Sequence, residues 1–177
     1  MLRPILAALL AAGTAVAPAA AAQPARPAVQ RDNPLIDYGG FRQLAARVQP
    51  YRQTRLIAWA EFDRLRGRRD VLILDARSES AFRQGHIEGA VNLPLPDFTA
   101  ESLARLIGAD RNRPILIYCN NNFRNDAEPV RLKSLRLALN IQTFINLVGY
   151  GYPNVRELGE VVDFDDPAIP WVADRGP

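Results

Sequence analysis

The chain has 177 residues, 48% of them hydrophobic, and a formal charge of +3. That is enough apolar material for one ordered core, and the small, scattered, mainly arginine charge excludes a nucleic-acid surface. A single cysteine, Cys119, excludes an internal disulfide, and with a single histidine, His86, it excludes a structural zinc site built from those residues.

Residues 1–22 read as a secretory signal. Arg3 gives a positive start, Ile5 to Val16 an apolar alanine-rich segment, and Ala20-Ala21-Ala22 the small residues ahead of a cut before Gln23. The alternative is an uncleaved anchor, against which Gly13, Thr14 and Pro18 break the segment. The expected product is periplasmic or secreted, with no membrane attachment after signal removal. Residues 23–34, rich in Ala, Pro and Arg, read as a flexible tether.

Residues 35–53 form an N-terminal helical extension, with a helix over Phe41–Val48 that stops at Pro50. A first short strand follows over Gln53–Ile57, then a helix over Ala60–Arg66 with Phe62 and Leu65 on one face. Asp70–Asp75, with Val-Leu-Ile-Leu inside it, is a buried strand. Ser78 caps a short helix over Glu79–Gln84. Ala90–Leu93 is a strand closed by Pro94, and Thr99 caps a helix that runs to Ile107 and ends at Gly108. Pro114–Tyr118 is a second buried strand. The same reading places a helix over Ala127–Leu139, a last strand over Thr143–Val148, a short helix within Tyr152–Val162, and an acidic, proline-broken tail over residues 166–177. Strands alternating with helices imply an α/β fold: a parallel central sheet of about five strands with helices on both faces.

The chemistry concentrates at Cys119, between the strand Pro114–Tyr118 and the polar run Asn120-Asn121-Asn122-Phe123-Arg124. A strand–Cys–loop–helix unit puts the sulfur at the carboxyl end of a strand, where open α/β sheets bind ligands. Loop and helix-start N–H groups then favour a thiolate. The other reading of a lone cysteine is an inert buried hydrophobe. No Gly-x-Ser-x-Gly elbow presents a serine to His86, and Gly149-Tyr-Gly151 does not extend into a dinucleotide fingerprint. No metal and no cofactor is expected.

The run Leu74-Asp75-Ala76-Arg77, then Phe82, Gly85-His-Ile-Glu-Gly-Ala-Val-Asn92 and Pro94, resembles the first signature of rhodanese-like domains, and the strand ending in Cys119 resembles their active-site strand. The resemblance covers about residues 54–162 and places the domain at 54–165. It implies that Cys119 carries sulfur as a persulfide from a small donor such as thiosulfate to a thiol or cyanide. It implies also that the amides of Asn120, Asn121, Asn122, Phe123 and Arg124 cradle that sulfur, that Arg124 holds a donor oxyanion, and that Asp75 and Arg77 buttress the site. His86 matches a fold residue. The six residues Cys119–Arg124 match the loop length of sulfur-transferring members, although Asn122 stands where glycine is common. The loop amides with Arg77 and Arg124 predict a thiol more acidic than a free one. Tyr150 and Tyr152 are candidates either for the site mouth or for packing the terminal helix. The alternative to an enzyme is a non-catalytic binding or sensory module of the same fold. A phosphatase or arsenate reductase would need a longer loop.

Overall fold

The structure is a computed structural model that describes residues 33–173. The expected signal over 1–22 lies outside the described residues, as does the tether up to residue 32.

Five strands form one sheet in the order β1-β6-β5-β2-β4, every neighbouring pair parallel. They are β1 (Leu56–Ile57), β2 (Leu72–Asp75), β4 (Ala90–Asn92), β5 (Ile115–Tyr118) and β6 (Val155–Leu158). β2 and β5 are buried at every position, which is why both read as continuous apolar runs rather than alternating ones. Side chains alternate across the sheet. Ile115 and Ile117 join Leu103 and Ile107 of α4 (Ala100–Ile107), Phe144 and Leu147 of α5 (Leu139–Gly149) and Val48 of α1 (Tyr38–Gln53) in one core. Leu116 and Tyr118 join Phe62 and Leu65 of α2 (Trp59–Arg66) in the other. Helices therefore cover both faces.

Local signals decided several elements. Ser78 caps α3 (Glu79–Gln84) by accepting the Ala81 N–H at 3.3 Å. Thr99 caps α4 by accepting the Ser102 N–H at 3.0 Å, and Ser102 Oγ accepts the Thr99 N–H in return. α1 is longer than expected and carries Pro50 inside its last turn. Proline there removes one hydrogen bond, and tertiary bonds hold the turn: Tyr51 Oη donates to the Pro153 carbonyl at 2.8 Å, and Arg52 pairs with Glu157.

Three expectations need correction. Residues 127–134 are not helical: Asp126 has φ 42°, and the Glu128–Pro129 peptide is cis. The stretch Thr143–Val148 is not a strand but lies within α5. Its β-branched and aromatic residues favour a strand, yet the buried positions Asn140, Thr143, Phe144 and Leu147 follow helical spacing, and burial on that stripe prevails over propensity. The last strand of the sheet is β6, inside the segment read as a helix.

The tail is also more than a tail. β7 (Trp171–Val172) pairs antiparallel with β3 (His86–Ile87). Trp171 packs on Phe123 with ring centroids 4.9 Å apart. A Cβ on Gly85 would lie 2.4 Å from the Trp171 indole nitrogen, so the signature glycine makes room for the tail. Gly89, at φ 86°, makes the turn between β3 and β4. His86 stacks on Phe82, and its Nδ1 lies 2.8 Å from the Phe82 carbonyl oxygen, the geometry of a fold residue.

Candidate functional site

β5 delivers Cys119 to the carboxyl end of the sheet, on the face covered by α1 and α5. The residue is 1% exposed and lines a recess of about 230 Å³ together with Arg52, Asn121, Asn122, Asn140, Glu157 and Glu160. The backbone N–H groups of Asn140, Asn121 and Leu139 act on the thiol in the sense that favours its charged form. The helix start read at Ala127 is not formed, and the helix N-terminus beside the thiol belongs to α5, some twenty residues after the cysteine. Leu139 and Asn140 are that helix's first two residues, whose N–H groups have no partner within the helix.

Asn122 holds this arrangement together. Its Oδ1 accepts the Cys119 N–H and the Asn140 Nδ2–H, both at 2.9 Å. Its Nδ2 donates to the carbonyls of Leu158 at 2.8 Å and Glu160 at 3.0 Å. One buried amide thus ties the end of β5, the start of α5 and the end of β6. Asn121 makes a two-point contact with Lys133, donating from Nδ2 to its carbonyl and accepting its N–H.

The expected cradle of loop amides is only partly built. The N–H groups of Asn122, Phe123 and Arg124 bond instead to the carbonyls of Cys119, Asn120 and Val162, at 3.1, 3.1 and 2.9 Å. Phe123 is fully buried among Tyr118, Phe164 and Trp171, where it is core and not a substrate contact. Arg124 is exposed, lies near the Asp163 carboxylate and does not line the recess. The chain leaves the loop by pairing Phe123 with Val162, and that extension carries Arg124 away from the sulfur. Asn120 and Arg77 line a second, larger recess of about 500 Å³ with Glu128, Arg131 and Lys133. Tyr152 is buried in the core and Tyr150 bonds the Phe98 carbonyl, so neither lines the Cys119 recess.

Asp75 and Arg77 form a buried ion pair behind the site. Arg77 Nη2 donates to Asp75 Oδ2 at 2.6 Å and to the Gly85 carbonyl at 2.7 Å, and Tyr118 Oη donates to the same Asp75 oxygen at 2.6 Å. Burial and the neighbouring Asp75 carboxylate hold the Tyr118 hydroxyl well above the usual phenol range. The pair fixes Tyr118, the residue before the cysteine, without touching the sulfur itself.

The thiol is not acidified. Burial pushes the Cys119 pKa up and the Glu157 carboxylate adds to this, while the amides of Asn140, Asn121 and Leu139 pull it down without prevailing. The expectation of a more acidic thiol is therefore corrected: it assumed two arginines at the sulfur, and neither Arg77 nor Arg124 lines the recess. The midpoint of the iodoacetamide rate against pH should lie above the free-thiol value of about 8.5. A raised folded pKa means that the native state keeps its proton after the unfolded thiol has lost it. The associated stability is present in full below the unfolded pKa and is lost as pH rises through the folded one. Cys119→Ala should remove that slope from a pH series of urea midpoints.

Sequence reasoning missed Asn140, Glu157 and Arg52. Glu157 and Arg52 carry no local signal. Asn140 would have been found by reading 139–149 as a helix, because an Asn at a helix start on its buried stripe asks for a polar partner.

The fold and site define an α/β domain that presents one thiol at the end of a central parallel strand. The family model of the Rhodanese-like domain matches residues 58–159, and the chain belongs to that family. A stretch of 52 residues is 42% identical to a protein named thiosulfate sulfurtransferase GlpE, from Shewanella oneidensis. That match covers 29% of this chain and 46% of the relative, so it spans less than half the length of that protein. Among solved structures, a rhodanese-like domain from Anabaena sp. is 21% identical, with 60% of this chain and 96% of the other covered and a TM-score of 0.44. A rhodanese with anions from E. coli is 26% identical, with coverages of 58% and 98% and a TM-score of 0.41. The matched family segment begins after α1 and β1, so Arg52 comes from outside it.

Proposed function

We propose that this protein is an exported sulfur carrier that holds sulfane sulfur as a persulfide on Cys119. The observation that carries the reading is that Cys119 ends β5 and lines an open recess beside the start of α5, whose free N–H groups at Leu139 and Asn140 favour the charged form of the thiol. Such donors stabilise negative charge on sulfur. A persulfide needs that more than the resting thiol does, because its terminal sulfur is the more acidic group and spends more time ionised. Family membership and the GlpE-like stretch support the same reading, and the composition of residues 1–22 supports export.

In the first step the Cys119 thiolate attacks the outer sulfur of a donor. A sulfur–sulfur bond forms to Cys119, the donor's own sulfur–sulfur bond breaks, and the donor remnant leaves with the electron pair. In the second step a thiolate or cyanide attacks the outer sulfur and Cys119 leaves as thiolate. No net redox change falls on the protein.

Intact-mass analysis after incubation with a sulfane-sulfur donor tests this. The expected result is a gain of one sulfur atom that is absent in Cys119→Ala and is removed by added thiol. No gain with any donor would leave a binding module, the reading favoured by a cysteine only 1% exposed.

A further inference from the structure

Two crevices open at the carboxyl end of the sheet. The Cys119 recess lies at the ends of β5 and β6, with Asn122, Glu157 and Leu158 in its wall. The larger recess, of about 500 Å³, lies at the ends of β2 and β5, and Arg77 and Asn120, which follow those strands, line it. After β2 the next strand of the sheet is β4, on one side, and after β5 it is β6, on the other. The two connections part at this point, which is where open α/β sheets hold ligands. Cys119 is not among the residues lining this crevice.

One end of the crevice is polar. Asn120 is 6% exposed, and among the described residues its side chain has no hydrogen-bond partner, whereas the amides of Asn121 and Asn122 are both engaged. Its amide atoms are not among the sealed ones, so they open to the crevice that Asn120 lines. A buried amide left without a partner is uncommon. Beside it, Arg77 Nη1 has only a long contact, 3.4 Å, to the Pro129 carbonyl. The charge at the mouth is positive. Arg131 lies 3.7 Å from Glu128, and Lys133 pairs with no carboxylate among the described residues. Asp75 already matches the Arg77 charge. Two cations therefore stand against one carboxylate, and the rest of the wall is apolar, with Pro94, Leu95, Pro96 and Leu139.

We propose that this crevice is a binding site for a small organic acid, separate from the Cys119 recess: one carboxylate meets Lys133 and the Asn120 amide, and an apolar body lies against Leu95, Pro96 and Leu139. One excess positive charge complements a monoanion, and the apolar wall complements a carbon skeleton and not a bare inorganic anion. The volume falls in the range of small-molecule sites. Asn121 pins the Lys133 backbone at both its N–H and its carbonyl, which holds the segment carrying the cation at the mouth. The site stands whether or not Cys119 carries sulfur.

The test is calorimetric titration of the full chain with phenylbutyrate, phenylbutanol and phenylbutylamine, which share one apolar body and differ in charge. The expected result is saturable binding of the acid, about tenfold tighter than the alcohol, with the amine weakest. Lys133→Gln keeps the backbone contacts to Asn121, and should weaken the acid by about three- to fivefold while the alcohol and the melting temperature stay unchanged. Asn120→Asp, nearly isosteric, should leave the acid no tighter than the alcohol. Cys119→Ala should bind the acid as the unaltered chain does. Equal binding of acid and alcohol, tightest binding of the amine, or no saturable binding of the acid overturns the proposal. An acid affinity unchanged in Lys133→Gln or in Asn120→Asp does so too. Loss of acid binding in Cys119→Ala would place the acid against the thiol, and displacement of the acid by inorganic phosphate at equal concentration would leave the apolar wall no part in binding; either result overturns the assignment.

Discussion

Arg77→Met is expected to lower the free energy of unfolding by about 3–5 kcal/mol, the cost of leaving a buried carboxylate without its cation. Asp75 is 0% exposed and its side chain accepts from the Arg77 backbone N–H at 3.0 Å, from the guanidinium, and from Tyr118 Oη. Methionine keeps much of the stem's volume but no donor, so the loss is one of charge and hydrogen bonds and not of packing. The Gly85 carbonyl also loses its partner. Against a total stability of about 5–15 kcal/mol, that loss moves the urea midpoint far while leaving the slope unchanged. Adding Asp75→Asn should recover part of it, because the double variant buries no unpaired charge. A loss below about 1 kcal/mol in Arg77→Met would place the pair with exposed ion pairs and would sink the claim that it anchors the end of β5.

Asn122→Ala is the second large effect. It strands the buried Cys119 N–H and the carbonyls of Leu158 and Glu160. Each stranded group costs about 1–3 kcal/mol, and water entering the adjacent recess offsets part of this, so a loss of about 2–4 kcal/mol is expected by urea denaturation. The consequence for the site is larger than for the fold. With β5, α5 and β6 no longer tied together, Cys119 becomes more accessible and its iodoacetamide rate at fixed pH should rise. Asn122→Asp discriminates between the two halves of the clamp. It keeps the acceptor for Cys119 but sets a charged oxygen against two carbonyls. If Asp is tolerated, the contacts to Leu158 and Glu160 contribute nothing to holding the site.

Much of the fold was legible because its signals are local. β2 and β5 are apolar runs bounded by polar residues and proline, α3 and α4 carry hydroxyl caps, and the segment from Leu74 to Pro94 holds a family signature. The segment after the cysteine misled because two local rules conflict there. Thr143-Phe-Ile-Asn-Leu-Val148 is rich in strand formers, and only the spacing of its buried positions, extended back to Asn140, marks a helix. β6 escaped notice for the converse reason. Its third residue is Glu157, and a carboxylate within a buried strand reads as a surface position until Arg52 is seen beside it. The strand count of the central sheet held, since β6 replaced the stretch that proved helical, while the separate β3–β7 pair went unread.

The sequence by itself determined that a single thiol ends a buried strand of a rhodanese-like α/β domain, because strand burial, turn polarity and the signature are all properties of neighbouring residues. Only the tertiary structure decided what surrounds that thiol. Arg52, Asn140, Glu157 and Glu160 converge on Cys119 from both sides of it in the chain, and Arg124, five residues away, does not line the recess. Electrostatics and hydrogen bonding depend on distance in space, and the sheet order β1-β6-β5 with α1 and α5 packed over it sets those distances.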